Sequence, residues 1–230
     1  MKNDFSQLKR QVIDGAKILA SEELVRGFGH VSARIPNAKR FLLTPRVSLA
    51  LVKPGELLVM DFDGRVVEGK AAPPFEAALH AAIYATKPEV HAVTRIHART
   101  ANYFSVTETK IEAVHNHGSF FSGGVPVFDQ TPLISTPALG REVAAALGEN
   151  PALLLRGNGQ VTVGRSVAEA VVMAIYLEEA ADMLYGALRV GKPIFLRESE
   201  AGLGRKETLP PVDLERAWNY YKNKAGARSK

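Results

Sequence analysis

The sequence predicts an α/β protein of three layers, α/β/α, whose central sheet does not follow a regular doubly wound pattern. Three observations lead there. Apolar residues recur near every 3.6 positions over residues 8–24, and a helix-capping pattern opens a second long helix over 166–188. Between these stretches lie short alternating or apolar runs of strand length. Some of those runs are joined by hairpin turns and others by helical crossovers, which suits a mixed sheet rather than repeated βαβ winding.

The elements follow in order. The first helix covers 8–24 and is broken by Gly27-Phe28-Gly29. Val31-Ser32-Ala33-Arg34-Ile35 alternates and ends at Pro36, a strand. Residues 41–43 and 57–62 are further strands, and Asp63-Gly64 is a hairpin turn. Pro73-Pro74 opens a helix over 75–86. Residues 91–97 alternate as a strand, and a helix follows over 100–106. Residues 111–114 and 125–128 read as strands and 139–147 as a helix. Strands at 152–155 and 160–163 flank a Gly-Asn-Gly turn. Ser166, with Glu169 at capping-box spacing, starts the long helix to Leu188.

Length and composition bound the function classes. No repeat or low-complexity linker divides the 230 residues, so one domain over 1–230 is expected. Apolar residues make up 46%, enough for a full core. The absence of cysteine excludes disulfides, thiolate metal ligands and a cysteine nucleophile, and it fits a reducing compartment. No signal-peptide pattern follows Met1-Lys2-Asn3-Asp4, and no apolar run nears the roughly 20 residues of a membrane span, so a cytoplasmic protein is expected. Four charges of the net +5 come from Lys222, Lys224, Arg228 and Lys230, in a segment with no acid. That end reads as solvated, frayed and disordered, and neither nucleic acid nor membrane is expected as a partner.

The polar residues that carry chemistry come in short motifs. On the 91–97 strand, Arg95 and His97 are two apart and share a face. Arginine is rarely set on a buried face without a partner. His115-Asn116-His117 repeats that spacing ahead of the flexible, partly aromatic run Gly118 to Gly124, and two imidazoles on one face can bind a divalent metal. Glu76 and His80 are four apart on one helix, with Glu76 in the first turn, where an acid also suits the helix dipole. Asn158, between Gly157 and Gly159, sits in a turn that tolerates positive φ. Each motif alone also fits an ordinary structural role.

Taken together, Gly29-His30-Val31-Ser32-Ala33-Arg34, Leu43-Thr44-Pro45, the Glu76/His80 helix, 92–97 and 154–164 resemble the class II aldolase/adducin family, over roughly residues 8–192. The resemblance implies a mostly antiparallel central sheet, an acid/base at Glu76, and a divalent metal (Zn, Mn or Fe) held at the positions of Arg95, His97 and Asn158. It also implies a homotetramer with active sites between subunits and a C-terminal residue entering from a neighbour, a role that residues 215–230, with Trp218-Asn219-Tyr220-Tyr221, would fill. Only His97 keeps the metal histidine here. A guanidinium has no free lone pair, so an inherited three-histidine site is excluded.

Other departures move the expected chemistry. Arg46-Val47 stands where the sugar-phosphate branch has glycine, Pro74-Phe75 where it has serines, and Asn116 where it has a tyrosine. The chain looks more like the branch that decarboxylates hydroxylated aromatic or heteroaromatic dicarboxylates, through Gly29-His30-Val31-Ser32, Arg95-x-His97 and 123–129. Such a reaction needs a positive centre near hydroxyl and carboxylate, and a proton donor. Two arrangements supply the centre. Either His97 with His115 or His117, and Glu76, holds a metal, or no metal binds and Arg95 clamps a carboxylate. The candidates for chemistry are thus Glu76, Arg95, His117 and Asn158; for substrate contact, His30, Arg46, Phe75, Phe120 and Tyr220; for metal, His97, His115 and His117. The alternatives are an aldolase or epimerase acting on a non-phosphorylated substrate, a metal-dependent oxygenase, and a non-catalytic adducin-like interaction module.

Overall fold

The computed structural model describes residues 2–228. Eight strands form one sheet: β1 (His30–Arg34), β2 (Arg40–Leu43), β3 (Leu58–Asp61), β4 (Val66–Glu68), β5 (Ala92–Ile96), β6 (Val127–Phe128), β7 (Ala152–Leu155) and β8 (Gln160–Gly164). Their order is β4-β3-β2-β1-β5-β8-β7-β6, and every pairing is antiparallel except β6 with β7. The central strand β5 is buried along its whole length, as a strand covered on both faces must be.

Helices cover both faces. Helices α1 (Lys2–Ser21), α3 (Arg99–Phe104), α5 (Val167–Val190) and α7 (Pro211–Arg228) pack on one core. Helices α2 (Ala77–Thr86) and α4 (Pro137–Leu147) pack on the other. A short helix α6 (Glu198–Thr208) lies over a 3-10 segment, Asn116–Phe121. This is the expected three-layer arrangement. Ser166 caps α5, its Oγ accepting from the Glu169 N–H at 3.1 Å, while Glu169 Oε2 accepts from the Arg165 N–H. Among the described residues, no helix is long and apolar enough to cross a membrane.

Three local expectations are corrected. Residues 111–114 form no strand. Ile111 and Ala113 are buried in alternation, but their carbonyls accept from the Val125 and Leu196 N–H groups in loops instead of a ladder. His115 and His117 sit at the cap and in the first turn of the 3-10 segment, not on a strand. The basic end is helical to Arg228, with Lys222 on Asp14 at 2.8 Å and Lys224 on Glu22 at 2.7 Å. The last two residues of that segment, Ser229 and Lys230, lie outside the described residues.

One buried side-chain amide has no hydrogen-bond compensation among the described residues. Gln160 of β8 is wholly buried beside Ile96 and Leu154, and neither its Oε1 nor its Nε2 has a hydrogen-bond partner among the described residues. Leaving such a group unsatisfied costs about 1–3 kcal/mol. Gln160→Met, which keeps the volume, is expected to recover about that much, read as a higher denaturant midpoint at unchanged slope. A lower midpoint would show that the amide has a partner.

Candidate active site

A cavity of about 540 Å³ opens where the start of β1 meets the end of β5. His30 and Arg95 stand directly opposite each other in the antiparallel register, so their side chains share a face. That face is the one covered by α2, whose N-terminus brings Glu76 to the same place.

Arg95 is 1% exposed. Its Nε lies 2.7 Å from Glu76 Oε2 without the N–H pointing along that line, so the contact is an ion pair rather than an aligned hydrogen bond. Its Nη1 rests against both ring nitrogens of His97, 2.9 Å from Nδ1. Burial lowers the guanidinium pKa and the Glu76 carboxylate raises it, and the group remains a cation. Burial, and then the Arg95 charge, lower the pKa of His97, so its imidazole is neutral.

Glu76 occupies the N-cap of α2, with φ −95° and ψ 24°, one position before the first turn where it was expected. Its side chain caps nothing. Oε2 faces Arg95, while Oε1 accepts from Asn158 Nδ2 at 3.1 Å and from the Ile134 N–H at 3.3 Å. Asn158 Oδ1 in turn lies 3.4 Å from His97 Nε2. Glu76, Arg95, His97 and Asn158 therefore form one connected cluster at the cavity wall.

The β7–β8 hairpin sets Asn158. Gly157 and Gly159 take φ of +65° and +79°, which side chains rarely adopt. Helix α3 pins both: Ser105 Oγ accepts from the Gly157 N–H and Asn102 Oδ1 from the Gly159 N–H, each at 3.0 Å. Nothing local in the sequence marks Asn102 or Ser105, because their partners are more than 50 residues away.

The positions of Arg95, His97 and Asn158 converge as the resemblance implies, but a divalent metal does not fit among them. One of the three has no lone pair to give. It also places a cation against the carboxylate and the imidazole that would otherwise ligate. The metal arrangement that joined His97 to His115 or His117 is not formed either. Among the described residues, the group able to hold a cation is His115, His117 and Glu179, with ligand atoms within 4.8 Å of one another, and His97 is outside it. His117 Nδ1 is 2.8 Å from Glu179 Oε2 and its ring stacks on Tyr176 at 4.2 Å. Burial, and then His117, lower the pKa of His115, whose Nδ1 is buried without a hydrogen-bond partner among the described residues. Glu179 carried no sequence signal, since it reaches His117 from 62 residues away. None of the three lines the cavity.

The substrate-contact candidates divide the same way. His30, Arg46 and Phe75 line the cavity. Arg46 stacks over the Phe75 ring at 4.3 Å and makes no ion pair among the described residues. Arg95, expected as a free carboxylate clamp, has its Nε and Nη1 against Glu76 and His97, whereas the Arg46 guanidinium carries no ion pair among the described residues. Phe120 packs on Tyr176 at 6.3 Å, and Tyr220 lies exposed on α7 against Tyr221, so neither touches this cavity. Phe28 was missed. It is 81% exposed at the rim, and in sequence it read only as part of a helix break.

The chain is a member of the Class II Aldolase and Adducin N-terminal domain family, which it matches over residues 10–185. It is 30% identical to a 3,4-dihydroxyphthalate decarboxylase of Terrabacter sp., over 93% of this chain and 90% of that one. It is 26% identical to a 5-methylthioribulose-1-phosphate/5-deoxyribulose-1-phosphate aldolase of Rhodospirillum rubrum, over 94% and 91%. Its fold matches an L-fuculose 1-phosphate aldolase from Glaciozyma antarctica with a TM-score of 0.84 at 22% identity, over 96% and 88%.

Proposed function

We propose that the chain is a carbon–carbon lyase that decarboxylates a hydroxylated aromatic or heteroaromatic carboxylate. The observation that carries this reading is Arg95, a permanent cation fixed at the wall of a cavity rimmed by Phe28 and Phe75. For an ortho-hydroxy acid, moving the hydroxyl proton to the ring carbon that bears the carboxylate gives a ketone tautomer. Carbon dioxide then leaves, the bonding pair returns to the ring, and the oxyanion that remains takes a proton from water. The barrier falls if a cation faces the developing oxyanion and a neutral base takes the hydroxyl proton. Arg95 supplies the first, and neutral His30 or His97 the second.

Arg46 has the other task. A carboxylate that leaves as neutral CO₂ gains nothing from being held by a cation, so the free guanidinium of Arg46 serves best on a second, retained acidic group. That favours a dicarboxylate, the substrate type in the name of the Terrabacter relative. The purified protein is expected to release CO₂ from 3,4-dihydroxyphthalate or a close analogue. Arg46→Met should raise KM about 10–100-fold with kcat changed far less, since a charge-assisted bond contributes about 1.5–3 kcal/mol. Retro-aldol cleavage of a phosphorylated ketose, with no CO₂ from any hydroxy-aromatic acid, would sink the reading.

A further inference from the structure

A line of four polar side chains runs inward from the cavity, and the reaction described so far uses only its outermost member, His30. His30 Nδ1 turns away from the cavity to His80 Nε2, 2.8 Å away. His80 Nδ1 lies 2.7 Å from Ser32 Oγ, and Ser32 Oγ lies 2.8 Å from Tyr84 Oη. His80 and Ser32 are 0% exposed. The fold builds the line from two elements. Strand alternation puts His30 and Ser32 on one face of β1, and the helical repeat puts His80 and Tyr84 on one face of α2.

The line has a direction. His80 is held neutral by burial and by Arg95, its pKa lowered to about 3, so it carries one ring proton. Ser32 Oγ also faces the Val93 carbonyl at 3.5 Å. A carbonyl only accepts, and one assignment of the line sends the single Ser32 hydroxyl proton there. The serine lone pairs then receive the Tyr84 hydroxyl and the His80 Nδ1–H. His80 Nε2 is left bare and accepts from His30 Nδ1–H. In that assignment the remaining nitrogen of His30, Nε2, is unprotonated, and it makes no hydrogen bond among the described residues. The Arg95 charge, which acts on both rings, opposes a second proton on either, so each keeps a single ring proton.

We propose that Tyr84, Ser32 and His80 are positioning residues that fix His30 as its Nδ1–H tautomer, so that its bare Nε2 takes the proton of the substrate's ring hydroxyl. The inference rests on the decarboxylase reading for its substrate, and on the hydrogen-bond line alone for its tautomer. The proton balance closes within one residue. The substrate O–H breaks as His30 Nε2–H forms. The imidazolium then gives that proton to the ring carbon bearing the carboxylate, and Nδ1–H stays with His80 throughout. An imidazolium this poorly solvated, beside Arg95, returns its proton readily.

The test is nitrogen NMR of the intact protein labelled with ¹⁵N-histidine, with His30→Gln to assign the signals, joined to kinetics on 3,4-dihydroxyphthalate. The expected spectrum has a pyridine-type Nε2 and a pyrrole-type Nδ1 for His30. Ser32→Ala removes the acceptor that fixes His80, and should mix the His30 tautomers and lower kcat about 10–100-fold with KM changed little. Ser32→Thr keeps the hydroxyl and should restore both. A pyrrole-type Nε2 in the parent protein, or a Ser32→Ala variant with unchanged tautomer and kcat, overturns the proposal. A bare Nε2 in a protein that turns over no hydroxy-aromatic acid supports the tautomer and counts against the decarboxylase reading instead.

Discussion

Arg95→Met is expected to remove measurable activity and to destabilise the fold by about 3–5 kcal/mol, the cost of stripping one partner from a buried ion pair. Glu76 is 5% exposed and meets Arg95 at 2.7 Å. Without the guanidinium its Oε2 faces an apolar cavity wall, while Asn158 and the Ile134 N–H still hold Oε1 in place. The carboxylate then has to gain a proton or leave the wall. Activity falls for a separate reason. A preorganised cation facing developing charge is worth about 10²–10³ in kcat, and methionine offers none. Arg95→Met combined with Glu76→Gln separates the two effects. With both charges gone the denaturant midpoint should recover most of the way, because a neutral pair leaves no orphaned ion, while turnover stays absent. A single Arg95→Met variant with parental stability and turnover would mean that the pair organises nothing.

The strands and helices of the chain were largely legible because they rest on local patterns: alternation in β1 and β5, the helical repeat of α5, a serine at its cap. The positions of Glu76, Arg95, His97 and Asn158 were legible as a set, and so was the loss of the metal ligands, since both follow from residue identity. What each side chain holds was not legible. Arg95 looked free for a substrate carboxylate because the partner that occupies it, Glu76, comes from another element. His115 and His117 looked available to His97 because sequence spacing says nothing of which side of the molecule a loop occupies; the carboxylate beside them is Glu179 of α5, which pairs with His117. The line behind His30 is an intermediate case. His30 and Ser32 alternate on one strand, and His80 and Tyr84 repeat on one helix, so each half was readable. Only the packing of α2 on the sheet joins the halves.

Gly159→Ala should cost about 3 kcal/mol or more and silence the site, although alanine is the smallest side chain that can be added. Two effects combine. At φ +79° any Cβ is strained by about 1–2 kcal/mol. The Cβ would also fall well inside contact with the Ile96 carbonyl oxygen and at 3.1 Å from His97 Cα and Cδ2. Those are backbone and site atoms, which cannot swing aside as a surface side chain would. Relief requires the hairpin to lift from β5, which carries Asn158 away from Glu76 and His97 at once. Gly157→Ala is the control, because the same turn supplies it. Its φ of +65° brings the same strain, but its Cβ meets nothing nearer than Val106 at 3.7 Å, an ordinary contact. Denaturant midpoints should therefore place Gly157→Ala about 1–2 kcal/mol below the parent, with turnover largely kept, and Gly159→Ala well below both. Equal losses in the two variants would mean that the turn conformation alone matters. The close seating of Gly159 against β5 would then have no part in placing Asn158.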